Sequence, residues 1–232
     1  MSTPTFSEVA KYRAEAPSLG RIAVSHDLIG RHGSVAPVLR RCLATLGPGK
    51  RLRVLDVGAF DRAFGKALDR CGFTLTYHSL DVDGSAAHDF RSIEEVRETY
   101  DAIAMFELIE HLSYEDVDKL LHAAYGLLAP GGCLLVSTPN PLHPERYFSD
   151  ASHKQHWPAH DLYALLRHVG FAKADIEMLG VVYMPLGRLR RGLTYCRNLA
   201  WRVMGLETRG GILAIATRKG DGLRPGKDVA LA

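Results

Sequence analysis

The 232-residue chain is poor in cysteine: Cys42, Cys71, Cys133 and Cys196 stand far apart and form no CxxC pair. That scatter argues against a zinc site and against a disulfide framework, and leaves reduced, mostly buried thiols as the plain expectation. No apolar run approaches a membrane span, and the opening "MSTPTFSEVAKYRAEAP" lacks the hydrophobic segment of a secretory signal, so a cytoplasmic protein is expected. Net charge is only +3, too small to call for nucleic acid, so any basic patch must be argued locally. Internal repeats are missing as well. What the chain does have is core material: 47% of its residues are hydrophobic and 24% charged, enough for one sizeable core with decorations.

Strand and helix patterns alternate from residue 51 onward. "RLRVLDVG" reads as a strand, "AFGKALDRCG" as a helix, "FTLTYHSLDV" and "YDAIAMF" as strands. "SYEDVDKLLHAAYGLLAPGG" follows as a helix, with Ser113 as N-cap and Pro130-Gly131-Gly132 closing it. "CLLVSTP" is a buried strand and "PAHDLYALLRHVGF" a helix ending at Gly170; strands around "KADIEMLGVVYM" and "GGILAIATRK" complete the series. Such alternation predicts an α/β fold, a mostly parallel sheet covered on both faces. Residues 1–50 read as N-terminal helical decoration, with "SVAPVLRRCLATL" at helical spacing. The main domain then covers 51–219, with a basic helical insertion at 185–208, and 220–232 is a flexible tail.

The loop after the first of these strands, "VLDVGAFDRAFG", lies where open α/β sheets bind ligands. Gly58 lets the backbone turn tightly, and Asp56 stands at the strand end facing the same crevice. A pyrophosphate pressed onto a helix N-terminus needs several glycines, and this loop has one in the required place, so a nicotinamide cofactor is disfavoured. S-adenosylmethionine carries no phosphate and tolerates side chains there. Asp81 ends the next strand in "HSLDVDG", where a carboxylate can accept both hydroxyls of an adenosine ribose; Val82 and Asp83 follow it. Opening a turn before Gly84 is the plainer role for the same aspartates. "HDF" offers Asp89 and Phe90 to an adenine amine and ring.

In order and spacing, "VLDVGAF…LDV…HDF…YDAIAMFELIEHL…LLAPGGCLLVSTPNP…HDLYALLRHVGF" resembles the motif succession of class I S-adenosylmethionine-dependent methyltransferases, over about residues 50–175. The resemblance implies a Rossmann-like doubly wound, mostly parallel seven-stranded sheet with an antiparallel last strand, under an N-terminal helical cap. It also implies that Asp56, Gly58, Ala59 and Phe60 line the methionine end and that Asp81 and Val82 hold the ribose. Asp89 and Phe90 would hold the adenine, with Phe106 and Glu107 closing over the cofactor. Phe60 and Arg62 stand where the family usually has further glycines. Phe60 is expected beside the crevice, and Arg62 in solvent or toward the methionine carboxylate. A Phe60 ring filling the cleft would instead mark a non-catalytic binding module.

On the acceptor side, "FELIEHL" places Glu107 and His111 on one face if it is wound as a helical turn, and "TPNPLHPERYFSDASHKQHW" adds His143, His153 and His156. Methyl transfer is chiefly positioning, and a hydroxyl acceptor must also lose a proton, which suits histidine. His111 and His153 are candidate bases or orienters, with Glu107 beside them; capping a turn or facing water is the plain role for each histidine. Glu107, Glu110 and His111 with a later histidine also resemble the magnesium-binding ExxEH set of small-RNA 2′-O-methyltransferases. "ELIEHL" recurs in metal-independent relatives too, so a divalent metal is not favoured. The stretch around Asp150 and His153 is similar to one in glycan-pathway methyltransferases, implying a small-molecule or glycan acceptor. Finally, "GRLRRGLTYCRNLAWRVMG" winds as a helix with Arg188, Arg191, Tyr195, Asn198 and Arg202 on one side and Leu189, Leu193, Cys196, Ala200 and Val203 on the other. The pattern favours docking on the core with the arginines in water. Peripheral membrane contact through 186–206, or a nucleic-acid or lipid-linked substrate, is the alternative.

Overall fold

The computed structural model describes residues 6–25, 51–69, 74–84, 86–185 and 187–219. The helix expected over 34–46, Cys42, Cys71 and the tail from 220 lie outside these residues. Chain order runs α1 (Phe6–Ala10), β1 (Gly20–Ser25), β2 (Leu52–Val57), α2 (Ala63–Asp69), β3 (Leu75–Leu80), β4 (Tyr100–Phe106) and α3 (Tyr114–Leu127). It continues through β5 (Leu128–Pro139), α4 (Ala159–Val169), β6 (Ile176–Met184), α5 (Arg188–Val203) and β7 (Gly211–Thr217).

Seven strands form one sheet in the order β1-β6-β7-β5-β4-β2-β3. All neighbours are parallel except β7, which runs antiparallel between β5 and β6. Period-two alternation sorts the central strands onto two cores. Leu55, Ile103, Met105, Leu134 and Val136 pack with Val117, Leu121, Leu162 and Leu166 of α3 and α4. Their neighbours Val54, Ala102, Ala104 and Leu135 face Phe64 and Leu68 of α2 on the opposite side. All seven residues of β4 are buried, as a strand covered on both faces requires.

Local signals placed most boundaries. Ser113 caps α3, its hydroxyl accepting from Asp116 N–H at 3.2 Å, and Gly170 ends α4 at φ 127°. Two readings need correction. The N-terminal segment contributes more than helical decoration, because Gly20–Ser25 forms an edge strand parallel to β6. Its short "GRIAVS" pattern gave little warning; the partner strand β6 supplies the hydrogen bonds that make it a strand. Helix α3 stops at Leu127, ahead of Pro130-Gly131-Gly132, because Leu128 already pairs with Tyr100 of β4. Among the described residues no helix is long and apolar enough to cross a membrane.

From β2 the chain winds outward to β3, then returns to the other side of β2 as β4. The order therefore reverses at β2, and the crevice opens above its carboxyl end, between the loops that begin at Gly58 and Glu107.

Candidate active site

Gly58 leaves β2 at φ 73°, and a Cβ there would approach Leu108 Cδ1 to 2.8 Å, so the turn needs glycine twice over. Gly58 and Ala59 N–H both donate to Leu80 O, at 2.8 and 3.2 Å, tying the loop to the end of β3. Phe60 and Arg62 then take φ of 41° and 61°. Both side chains sit on backbone suited to glycine, at a cost of about 1–3 kcal/mol each, which marks this loop as strained. Gly65 closes the motif for another reason: a Cβ there would meet the Tyr77 ring at 2.7 Å.

Asp81 meets this loop from β3. Its Oδ2 accepts from Phe60 N–H at 2.7 Å and its Oδ1 from Asp83 N–H at 2.9 Å, leaving each oxygen a further lone pair. Arg91, unmarked in the sequence reading, braces the turn by donating to the carbonyls of Asp81, Asp83 and Ala86. Flanking this junction, Phe60 is 70% and Val82 84% exposed, so apolar surface lies open beside the Asp81 carboxylate. The Phe60 ring is open to solvent and is not packed into the core.

Asp56 lies beneath, 3% exposed, and accepts from the Tyr77 hydroxyl at 2.6 Å. Burial pushes its carboxyl up to about 7 against the opposing Tyr77 bond. Burial, then the Asp56 charge, drives the Tyr77 phenol upward too. Arg62 is partly in solvent, its side chain 40% exposed. Its guanidinium lies over the Tyr77 ring at 5.4 Å and 3.9 Å from Asp89 Oδ2, because the left-handed backbone turns it toward β3.

Asp89 and Phe90 pair with the outer side of β3. Asp89 Oδ2 accepts from Ser79 N–H and Oγ at 2.8 and 2.9 Å. Burial alone would raise that carboxyl, but the two Ser79 bonds hold it below its usual range. Phe90 is half-buried, edge-on to His78 at 5.7 Å. Phe106 does not close over the crevice as expected: it is 7% exposed and packs against Phe64, because period-two alternation at the end of β4 points it into the core below.

Glu107 follows at φ 51°, its N–H donating to Ser137 O and its Oε1 accepting from Ser137 Oγ at 2.7 Å. The expected helical turn over 107–111 is only a 3-10 turn at Ile109–His111, since the left-handed Glu107 cannot begin a helix. Burial raises the Glu107 carboxyl, and burial followed by the Glu107 charge raises Glu110 to about 8. Glu110 is fully buried, and its oxygens have only a poorly directed contact with Thr138.

Four hydrogen bonds clamp the loop after β5 onto that turn. Lys154 and Gln155 N–H donate to Glu110 O at 2.8 and 3.0 Å, Trp157 Nε1 to Ile109 O at 3.1 Å, and His111 Nδ1 lies 3.3 Å from Ser152 O. His111 and His153 are thereby brought together, ring centres 5.0 Å apart. Ser152 Oγ donates its proton to Asp150 at 2.6 Å while lying 3.1 Å from His111 Nδ1. Facing a carbonyl and a hydroxyl already donating elsewhere, His111 Nδ1 must carry the proton, which leaves Nε2 as the basic nitrogen. His153 is arranged alike, with Nδ1 2.7 Å from Tyr147 O. Among the described residues, ligand atoms of Glu110, His111 and His153 lie within 4.8 Å of one another; Asp118, His122 and His168 form a second such group on α3 and α4. His143 and His156 do not join the pair: His143 is buried against Trp201 of α5, and His156 faces Tyr147 at 6.2 Å.

The methyltransferase-domain family profile matches residues 29–175, and the chain belongs to that family, as a class I S-adenosylmethionine-dependent methyltransferase. It is 27% identical over 168 residues to the ubiquinone biosynthesis O-methyltransferase of Brucella ovis, covering 60% of this chain and 66% of that one. It is 32% identical over 105 residues to the mouse small RNA 2′-O-methyltransferase, covering 43% of this chain and 26% of the mouse protein. The chain thus spans about a quarter of the mouse relative and just under two thirds of the Brucella one. A methyltransferase from Archaeoglobus fulgidus shares the fold at TM-score 0.56 and 18% identity, over 80% of this chain and 95% of that one.

The residues present fit S-adenosylmethionine. Asp81 keeps lone pairs for a diol, open apolar surface flanks it, and the buried, half-satisfied Asp56 carboxyl suits a cationic amine.

Proposed function

We propose that the chain transfers the methyl group of S-adenosylmethionine to an oxygen of a small molecule or glycan hydroxyl. The observation that carries this reading is the pair His111 and His153 near Glu107, each held by Nδ1: His111 keeps Nε2 for an acceptor, while His153 Nε2 lies 3.9 Å from Asp150 Oδ2. S-adenosylmethionine supplies an already activated electrophilic methyl, so the protein's task is to bind, align and deprotonate.

In this reading Asp81 accepts the ribose hydroxyls, Asp56 the ammonium, and Phe60 and Val82 cover the adenosine. Asp89 and Phe90 support that wall from outside. His111 Nε2 removes the proton of the attacking hydroxyl. The Ser152–Asp150 chain behind Nδ1 stabilises the imidazolium that forms. Glu107 and His153 border the acceptor, with the Glu107 carboxyl held by the Ser137 hydroxyl and raised by burial. The O-methyltransferase relative supports the choice of oxygen. A cytoplasmic setting is part of the reading, supported by the exposed thiol of Cys196.

The test is turnover of a panel of phenols, sugars and amines, with S-adenosylhomocysteine release as readout. Hydroxyl acceptors should react, and His111→Ala should lower kcat about 10²–10⁴-fold with cofactor affinity unchanged. Amine turnover that survives His111→Ala would refute oxygen attack.

One observation favours a second reading, a metal-dependent enzyme akin to the RNA 2′-O-methyltransferases. Glu110, His111 and His153 converge closely enough to share a divalent ion. Loss of activity in chelator, restored by magnesium or manganese, together with steeply salt-dependent RNA binding, would replace the first reading with this one.

A further inference from the structure

Helix α5 is mounted with its polar side inward. Asn198 is its buried residue, flanked by the half-buried Thr194 and Trp201. On the opposite side Leu189, Leu193, Val203 and the following Met204, with Leu199 at its edge, are between 52 and 82% exposed. The amphipathic pattern is as the sequence suggests, but docking on the core through the apolar side is not what the structure shows.

No Asp or Glu occurs in α5, whereas Arg188, Arg190, Arg191, Arg197 and Arg202 all do. At about 100° per residue, Arg190 and Arg197 fall along one border of the apolar strip and Arg188 along the other, while Arg191 and Arg202 stand nearer the Asn198 side. Arg197 is engaged by Glu145 at 3.2 Å, and Arg191 Nε donates to Pro185 O at 3.1 Å. Among the described residues Arg188, Arg190 and Arg202 have no ion pair.

Both ends of α5 join the rim that carries the crevice, since it links the end of β6 to the start of the antiparallel β7. The helix is fastened there through Trp201, whose ring meets His143 at 5.2 Å and carries the Arg197 guanidinium at 4.5 Å.

We infer that α5 docks the protein on an anionic membrane surface, its leucines entering the headgroup boundary and the arginines that flank them reaching the phosphates. A lipid interface offers apolar depth beneath a negative surface, the order this helix presents. A second copy would set arginine against arginine, and a nucleic acid would leave the leucine strip without a partner. Docking would bring the crevice rim to the bilayer, and it stands independently of which acceptor is methylated.

The experiment is flotation of the full chain with vesicles of phosphatidylcholine alone or with about a third phosphatidylglycerol. Binding should need the anionic lipid and fall with salt. Arg188→Gln/Arg190→Gln/Arg202→Gln should weaken partitioning about a hundredfold, at roughly fivefold per charge. Leu189→Asp/Leu193→Asp/Val203→Asp should abolish it while leaving S-adenosylmethionine affinity unchanged, which shows that the variant is folded. Failure to bind, or equal binding to both vesicles, overturns the proposal. So does a dimer in solution that Leu193→Asp dissolves in a chain that ignores vesicles.

Discussion

Replacing Asp56 by Asn removes a buried charge while keeping the shape and an acceptor for the Tyr77 hydroxyl. In the folded chain this carboxyl titrates at about 7 because burial opposes ionisation; unfolded, it titrates at about 4. A group whose folded pKa is raised holds its proton more tightly when folded. The stability it contributes is therefore complete below about pH 4 and is lost as pH rises through 7. Three units correspond to at most about 4 kcal/mol, and relaxation around a buried site brings this to about 2–4 kcal/mol. Asp56→Asn should thus match wild type at pH 4, gain on it steadily to pH 7, and exceed it by a constant 2–4 kcal/mol, about 5–10 °C in Tm, at pH 8. Urea unfolding across this range, without cofactor, measures the difference. Calorimetry supplies a second readout. At pH 6 an arriving ammonium should drive a proton off Asp56, visible as a buffer-dependent heat that the Asn variant lacks, and the variant should bind at least about tenfold more weakly. Parallel stability curves for the two proteins would refute the raised carboxyl, and no proton release would refute the placing of Asp56 beside the cofactor amine.

Phe60→Gly should raise stability by about 1 kcal/mol, since the ring is 70% exposed and its φ of 41° suits glycine; the same change should weaken cofactor binding severalfold. Gly58→Ala should lose about 2 kcal/mol in thermal unfolding, from the φ of 73° and the 2.8 Å approach to Leu108. Trp157→Phe removes the shorter of two donors to the buried Ile109 carbonyl, leaving Leu112 N–H at 3.3 Å, and should cost about 1 kcal/mol. Because that bond helps clamp the His153 loop, acceptor turnover should fall while S-adenosylmethionine affinity holds.

The fold was legible because its signals are local. Fully apolar strands such as "YDAIAMF", helices bounded by Ser113 and Gly170, and the glycine at position 58 each state their geometry within a few residues. Asp56 and Asp81 could be named for the same reason: a carboxylate just inside or after a buried strand has the crevice as its natural outlet. Edge pairing was not legible. "GRIAVS" becomes a strand only because β6 offers it hydrogen bonds, and Phe106 turns into the core because the register of β4 assigns it there.

By itself the sequence determined the alternation of strands and helices, the motif order, the cofactor class and the two faces of the basic helix. Tertiary structure decided what those pieces meet. It set Tyr77 against Asp56, turned Arg62 toward Asp89, and brought His111 to His153 through hydrogen bonds across 41 residues of chain. It also chose which face of α5 to bury. Each of these depends on contacts between segments distant in sequence, and no periodicity or spacing within one segment encodes its partner.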